Sequence, residues 1–343
     1  MPRGTVSANI LNRSIIRHVV KKSDGLISGV GGDYQAFRGS GNMVSATGFA
    51  DDETVFGISP GKIAQIIAEN NLTAAGIKPH YMNIFITACT DCTEDKLRRE
   101  MAEMTALAKN RGLSILGGNT AFSGKGNSYS VNVNLLGLAE QDSDKQYFTQ
   151  DARKEARAGD YVFVSGNAGH FGADQLIRRY RSRLSERFSD RFLQDALMDE
   201  SLFRIERPEN MYLVHDVSYG GIYRALYDLA EWTGFGINIC HEEIPIRQDT
   251  IEICEFLDIN PYALFGVGEA VGLFHEEELD KVKESADFKN GLLHIAGRLT
   301  EKKEKLVTSE VYKMNRFLTP YTQDEIYRVE EAENSVSGNS DML

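Results

Sequence analysis

The spacing of apolar residues along this chain switches repeatedly between the helical and the strand period, and that switching restricts its fold more than any other feature. Ser59 is a good helix N-cap, and Pro60 suits the first helical position, where a missing N–H costs nothing. Ile63, Ile66, Ile67 and Ala74 then recur at helical spacing, Gly76 supplies a left-handed stop, and Pro79 follows. Tyr81 to Ala88 reads as a strand, Thr93 caps a long amphipathic helix through Lys109, and Ser114-Ile115-Leu116 leads into Gly117-Gly118-Asn119-Thr120. Val131, Val133 and Leu135 alternate with Asn132 and Asn134, the pattern of a strand with one buried and one polar face.

The pattern repeats in the second half. A strand at Tyr161–Val164 runs into the turn Gly166-Asn167-Ala168-Gly169-His170-Phe171-Gly172, and a helix is expected from Ala173. A second strand, Met211 to His215, ends at Asp216 and turns through Gly220-Gly221 into a helix holding Leu226, Leu229 and Trp232. Further strands are expected around Ile237–Cys240, Ala263–Phe274, Leu292–Leu299 and Leu306–Ser309. Strands alternating with helices in both halves indicate an α/β (α+β) protein with mixed sheets. A length of 343 residues suits two domains. The charged, aperiodic stretch from Gln141 to Gly159 marks the boundary between them, giving an N-terminal domain over 1–145 and a C-terminal domain over 155–320. The opening stretch to about Ser28 reads as a peripheral helix, and residues 321–343 as a flexible acidic tail that frays from about Glu325.

Composition narrows the function classes. A hydrophobic content of 42% with 26% charged residues is a globular balance. A net charge of −12 argues against nonspecific nucleic-acid binding, which needs an excess of Lys and Arg. No apolar run reaches the ~20 residues of a membrane helix, and the start Met1-Pro2-Arg3-Gly4-Thr5 has no signal pattern, so a cytoplasmic protein is expected. The four cysteines read as reduced thiols.

Several clusters have chemistry to offer. The two strand–glycine–helix turns at Gly166–Gly172 and Asp216–Gly221 present helix N-termini, which favour anions, and His170 lies in the first of them. Neither turn has the Gly-Lys-Ser/Thr of a phosphate loop or the dinucleotide fingerprint, and a plain turn is the alternative. Asp51-Asp52-Glu53 has carboxylates of the kind magnesium prefers, against the alternative of a solvated acidic loop. Cys89 and Cys92 have the spacing of a redox pair or half a metal site; Cys92 stands beside a helix start, which would lower its thiol pKa.

In the order of these elements the chain resembles the aminoimidazole ribonucleotide synthetase superfamily, which includes thiamine-monophosphate kinase, selenophosphate synthetase and the hydrogenase-maturation HypE branch. Gly29-Val30-Gly31-Gly32-Asp33 is similar to the family's Gly-Ile-Gly-Asp-Asp start. Gly61-Lys62-Ile63-Ala64, Asn70-Asn71-Leu72 and Gly76-Ile77-Lys78-Pro79 resemble its Gly-Lys-Leu-Ala, Asn-Asp-Leu-Ala and Gly-Ala-Lys-Pro. Gly117-Gly118-Asn119-Thr120 stands where the pattern is Gly-Gly-Asp-Thr. His215-Asp216-Val217-Ser218-Tyr219-Gly220-Gly221 and the run Ile244 to Pro261 are most similar to the HypE branch.

The resemblance implies ATP bound by N-terminal elements, a homodimer that pairs its N-terminal sheets, and phosphoryl transfer assisted by Mg. It assigns nucleotide or substrate contacts to Asp33, Lys62, Asn71, Gly118, Asn119, Thr120, Asp216, Gly220 and Gly221, and the metal to Asp33, Asp51 and Asp52. A small-molecule substrate or a maturation-type protein partner is implied as well. The departures are chemically pointed: Asn71, Asn119 and Gly32 stand where the family has acids. An amide can offer an oxygen to a cation but no negative charge, so Mg is expected to be held weakly or lost. The last cysteine is Cys254, whereas the HypE branch carries a C-terminal cysteine that bears the reacting group, so self-modification of that kind is not expected. Three readings are left standing: an ATP-dependent synthetase or kinase, a dimeric scaffold that binds a nucleotide or a protein partner without turnover, and a redox or metal role through Cys89 and Cys92.

Overall fold

The computed structural model describes residues 4–5, 14, 16–18, 42–123, 129–139, 152–319, 321 and 323–329. The glycine-dense start, including Asp33, lies outside the described residues, as does most of the stretch read as a peripheral helix. The chain forms two compact units, Met1–Gln146 and Tyr147–Leu343.

The N-terminal unit is a five-stranded mixed sheet with helices against one face. Its strands are β1 (Gly4–Thr5), β2 (Asn42–Asp51), β3 (Pro79–Cys89), β4 (Ser114–Ser123) and β5 (Ser130–Ala139), in the order β1-β4-β3-β5-β2. β3 and β4 run parallel and the other neighbours antiparallel. Helix α1 (Pro60–Ala74) begins as its sequence indicates: the Ser59 hydroxyl accepts from the Lys62 N–H at 3.0 Å, and Pro60 opens the first turn. Gly76 then takes φ +72° and stops the helix. Helix α2 (Glu94–Asn110) is capped by Thr93 and buries Leu97, Met101, Met104 and Ala108.

The sheet's alternation assigns its two faces. Met82, Ile84, Ile86, Val131, Val133 and Leu135 are buried, while Phe85, Asn132 and Asn134 point the other way. α1 packs on the strand interior so closely that a Cβ at Gly48 would lie 1.9 Å from the Ala64 carbonyl oxygen. β4 runs straight through Gly117-Gly118-Asn119-Thr120. Gly118 has φ +150°, and a Cβ there would meet the Ile84 carbonyl oxygen at 1.6 Å, so this strand position admits only glycine.

In the C-terminal unit, helix α3 (Ala152–Glu155) precedes a seven-stranded mixed sheet. Its elements run β6 (Tyr161–Ser165), α4 (His170–Leu184), α5 (Asp190–Asp195), β7 (Leu213–Asp216), α6 (Gly221–Thr233), β8 (Gly236–Cys240) and α7 (Gln248–Leu257). They continue with β9 (Ala270–Phe274), α8 (Leu279–Glu284), α9 (Ala286–Lys289), β10 (Leu293–Thr300), β11 (Lys305–Ser309) and β12 (Met314–Phe317). The strand order is β12-β11-β8-β10-β6-β9-β7, with β8 and β11 parallel. Leu226, Leu229 and Ile222 of α6 pack on Val162, Val164, Ile237, Ile239 and Leu273 to form the core. The mixed α/β architecture expected from the sequence is the one found.

Three boundaries differ from the sequence reading. α4 starts at His170, three residues early, because Gly169 takes the left-handed conformation and opens the helix. The strand expected over Ala263–Phe274 is confined to Ala270–Phe274, since Gly266 and Gly268 (φ +91°) interrupt the extended run. The tail is not free from residue 321. Ile326 and Val329 are buried, and the buried Asp324 carboxylate accepts N–H bonds from Gly220, from Phe265 at 3.0 Å and from Ile326 at 2.9 Å.

Burial pushes the Asp324 carboxyl up to about 6, against the pull of those three N–H groups. A raised folded-state pKa makes its contribution to stability full below the unfolded value, and that contribution is lost as pH rises through the folded one. Relative to Asp324→Asn, the wild-type chain therefore loses stability between about pH 4 and about pH 7 in urea unfolding. A difference that stays constant over that range would contradict this placement.

Candidate functional site

The end of β2 leads through a tight turn towards the start of α1, and the acids Asp51 and Asp52 lie in that turn. Asp51 is buried, and its Oδ1 accepts from the Thr54 hydroxyl at 2.7 Å, the Thr54 N–H at 3.0 Å and the Glu53 N–H at 3.2 Å. It therefore closes the turn. Asp52 bonds the Tyr129 N–H at 2.9 Å and pairs with Lys96 at 3.0 Å, while the Lys96 ammonium lies 4.2 Å from the centre of the Tyr129 ring. Of the two described metal candidates, Asp51 thus braces its own turn and Asp52 ties β2 to α2 and to the residue before β5. Among the described residues no group of three His, Cys, Asp or Glu side chains is placed to hold a metal ion.

Glu100 is a functional-looking acid that the motifs do not include. It is buried on α2, where its Oε1 accepts from the Ser59 hydroxyl at 2.6 Å and from the Gly61 N–H at the first turn of α1. Burial pushes its carboxyl up, and those two donors pull it back. The sequence signal was available: Glu100 falls among Leu97, Met101 and Met104 on the apolar stripe of α2.

The remaining motif residues are spread apart. Lys62 and Asn71 sit near opposite ends of α1, nine residues or about 14 Å apart along the axis. The Asn71 amide Nδ2 donates to the Ile67 carbonyl at 3.0 Å, which leaves its oxygen as the available group. Asn119 is exposed on the open face of β4, level with Phe85, whereas the next residue, Thr120, is buried on the helix side, level with Ile86. Beside Asn119 that face carries Asn83, Asn132 and Asn134, and the Asn134 amide donates to Ser45 at 2.6 Å and to Thr47 at 3.1 Å.

In the C-terminal unit, Asp216 ends β7 buried, 3.6 Å from His215, whose ring packs on Trp232. Gly220 and Gly221 follow with φ +85° and +64°, and the Gly220 N–H is bonded to Asp324. The positive end of α6 is therefore already faced by a carboxylate of the chain itself. Cys89 and Cys92 close a turn through the Cys92 N–H and the Cys89 carbonyl at 3.1 Å. The expected lowering of the Cys92 thiol is reversed. Burial pushes it up, and Lys96 only partly offsets this.

Removing the Glu100 carboxylate strands the Gly61 N–H and the Ser59 hydroxyl in a buried place. Glu100→Ala is expected to cost about 2 kcal/mol, and Glu100→Gln, which retains an acceptor oxygen, clearly less. Urea unfolding of the two variants checks this; equal midpoints for Glu100→Ala and wild type would contradict it.

Residues 31–139 match the family model described as AIR synthase related protein, N-terminal domain. Carbamoyl dehydratase HypE of Rhodobacter capsulatus is 28% identical over 219 residues, 64% of this chain. The matched stretch spans 62% of that protein's length, short of two thirds. A crystal structure of hydrogenase maturation protein HypE in complex with ATP superposes over 93% of this chain and 95% of its own, with a TM-score of 0.70 at 18% identity. A HypE–HypF complex structure matches over 81% of this chain and 89% of its own, with a TM-score of 0.60 at 20% identity.

Proposed function

We propose, for a chain whose residues 31–139 are an AIR-synthase-related N-terminal domain and whose fold is that of HypE, that it binds ATP through its N-terminal unit. The nucleotide would serve to activate an oxygen of a small molecule by phosphoryl transfer. The observation that carries the reading is the likeness, along nearly the whole chain, to a HypE structure that holds ATP. The residues proposed to meet the nucleotide are Lys62, Asn71, Gly118, Asn119 and Thr120, with Asp33 as the remaining acid of the glycine-rich start. Asp216, Gly220 and Gly221 are proposed for the substrate side.

The donor set does not fit a firmly held magnesium ion. Asp51 Oδ1 is taken up by Glu53 and Thr54, both Asp52 oxygens by Tyr129 and Lys96, and Gly32, Asn71 and Asn119 stand at the replaced acid positions. No step is therefore assigned to a metal. The same observation favours a second reading, a nucleotide-binding homodimer without turnover. In either reading the open sheet face of the N-terminal unit, with Met43, Phe49 and Phe85 exposed, is proposed to pair with that of a second copy. The likeness to the HypE–HypF complex supports a maturation-type protein partner, and a cytoplasmic place is proposed with it; among the described residues no helix is long and apolar enough to cross a membrane.

Isothermal titration with ATP tests the proposal. Saturable binding with a Kd below about 1 mM, changed only a few-fold by Mg²⁺, is expected. ADP release during the titration would select the transferase reading, and binding without it the non-hydrolysing one. No heat of binding at millimolar ATP would overturn both.

A further inference from the structure

We propose that the C-terminal unit carries a second binding site, for a small organic cation of the amidinium or primary-amine class, with Glu269 as the group that receives its charge. Glu269 sits just before β9, in the stretch where the expected strand is broken. It is 1% exposed, and among the described residues no side chain bonds either of its carboxyl oxygens; the one group that acts on it is the backbone N–H of His170. A buried carboxyl in that condition is rare, because burial without a side-chain partner is costly, and it calls for an explanation.

Glycines make the room in which this carboxyl lies. A Cβ at Gly266 would come within 2.2 Å of Glu269 Oε2, and one at Gly166 within 3.0 Å of its Cγ. At Gly268 a Cβ would strike the Leu202 carbonyl oxygen at 1.8 Å. The backbone at Gly266 and Gly166 is thus bare where the acid sits. Glu269 also lines a cavity of about 310 Å³, at the small end of the range for ligand sites. His170, the first residue of α4, lines the same cavity, is 3% exposed and leaves its Nε2 without a partner. Two buried polar side chains with no side-chain partner for these atoms, the Glu269 carboxyl and His170 Nε2, therefore border one cavity, and no cavity residue is drawn from the N-terminal unit.

Charge selects the ligand. The ionisable side chains bordering the cavity are Glu269, Glu206, Asp287, His170 and Arg204, so the acids outweigh the bases. Asp216 lies on the neighbouring strand, opposite Ala270, and Arg247, Asp249 and Asp174 act on His170. Burial pushes the Glu269 carboxyl well above its usual range, against the pull of the His170 backbone N–H, and pulls the His170 imidazole down. A cation bearing two N–H groups matches the two carboxylate oxygens. Its entry converts Glu269 from acid to carboxylate: the carboxyl O–H proton leaves to solvent, and the ion pair replaces it. Binding thus releases one proton and strengthens as pH rises. A neutral amide of the same shape gains no such pair.

The test uses the full chain and benzamidine, with butylamine as a second cation and benzamide as the uncharged isostere. Calorimetry is run at about pH 6 and about pH 8, in buffers of different ionisation enthalpy, so that proton release is read directly. The expected result is millimolar or tighter binding of a cation, release of close to one proton, and roughly tenfold or greater tightening over that range. Benzamide should not bind. Glu269→Gln keeps the shape and the neutral state, and should lose the cation and the pH dependence together. Absence of binding by both cations, equal binding of benzamide, or unchanged binding by Glu269→Gln would each overturn the proposal. If Glu269→Gln does not fold, proton release from the wild-type chain decides alone: none released means the proposal is wrong.

Discussion

The free N–H groups at the start of a helix must find acceptors, and in this protein buried carboxylates from far along the chain provide them. Glu100 reaches from α2 to Ser59 and Gly61 at the start of α1, and Asp324 reaches from the C-terminal segment to Gly220 at the start of α6. Each of these bonds ties a helix to another element within its own unit and fixes where that helix begins. The charge at each place also matters. A carboxylate lying on the positive end of a helix leaves less reason for a phosphate to settle there.

This arrangement bears on what the family motifs mean here. The frame of the N-terminal unit matches the AIR-synthase-related domain, but family acids are replaced at Gly32, Asn71 and Asn119, and the described acids Asp51 and Asp52 bond the protein itself. The carboxylates that remain buried and bonded hold protein to protein. A nucleotide in this frame would be met mainly by a lysine, amides, a hydroxyl and backbone, a set that recognises phosphate through hydrogen bonds without requiring a strongly held metal.

Much of the fold was legible because its signals are local. Ser59, Pro60 and Gly76 mark both ends of α1, and the Val131–Leu135 alternation assigns the two faces of β5. The resemblance carried the sheet architecture further than periodicity could. What was not legible depends on distance or on glycine. Asp324 and Gly220 are 104 positions apart, so nothing in the tail's acidic composition reveals that it is anchored. Ala263–Phe274 looks like one strand by its apolar run, yet Gly266 and Gly268 break it and put Glu269 inside the unit. Cys92 stands beside a helix start, as its position suggests, but burial outweighs the helix end in setting its thiol. Asn119 and Thr120 are neighbours in the motif and point to opposite faces of the sheet, as residues on a strand must.

The central claim is that the N-terminal unit is where ATP is held, and amide hydrogen exchange with and without ATP addresses it most directly. Slowed exchange concentrated in residues 60–74 and 114–123 is the predicted result. Protection confined to the C-terminal unit, or none at saturating ATP, would contradict it.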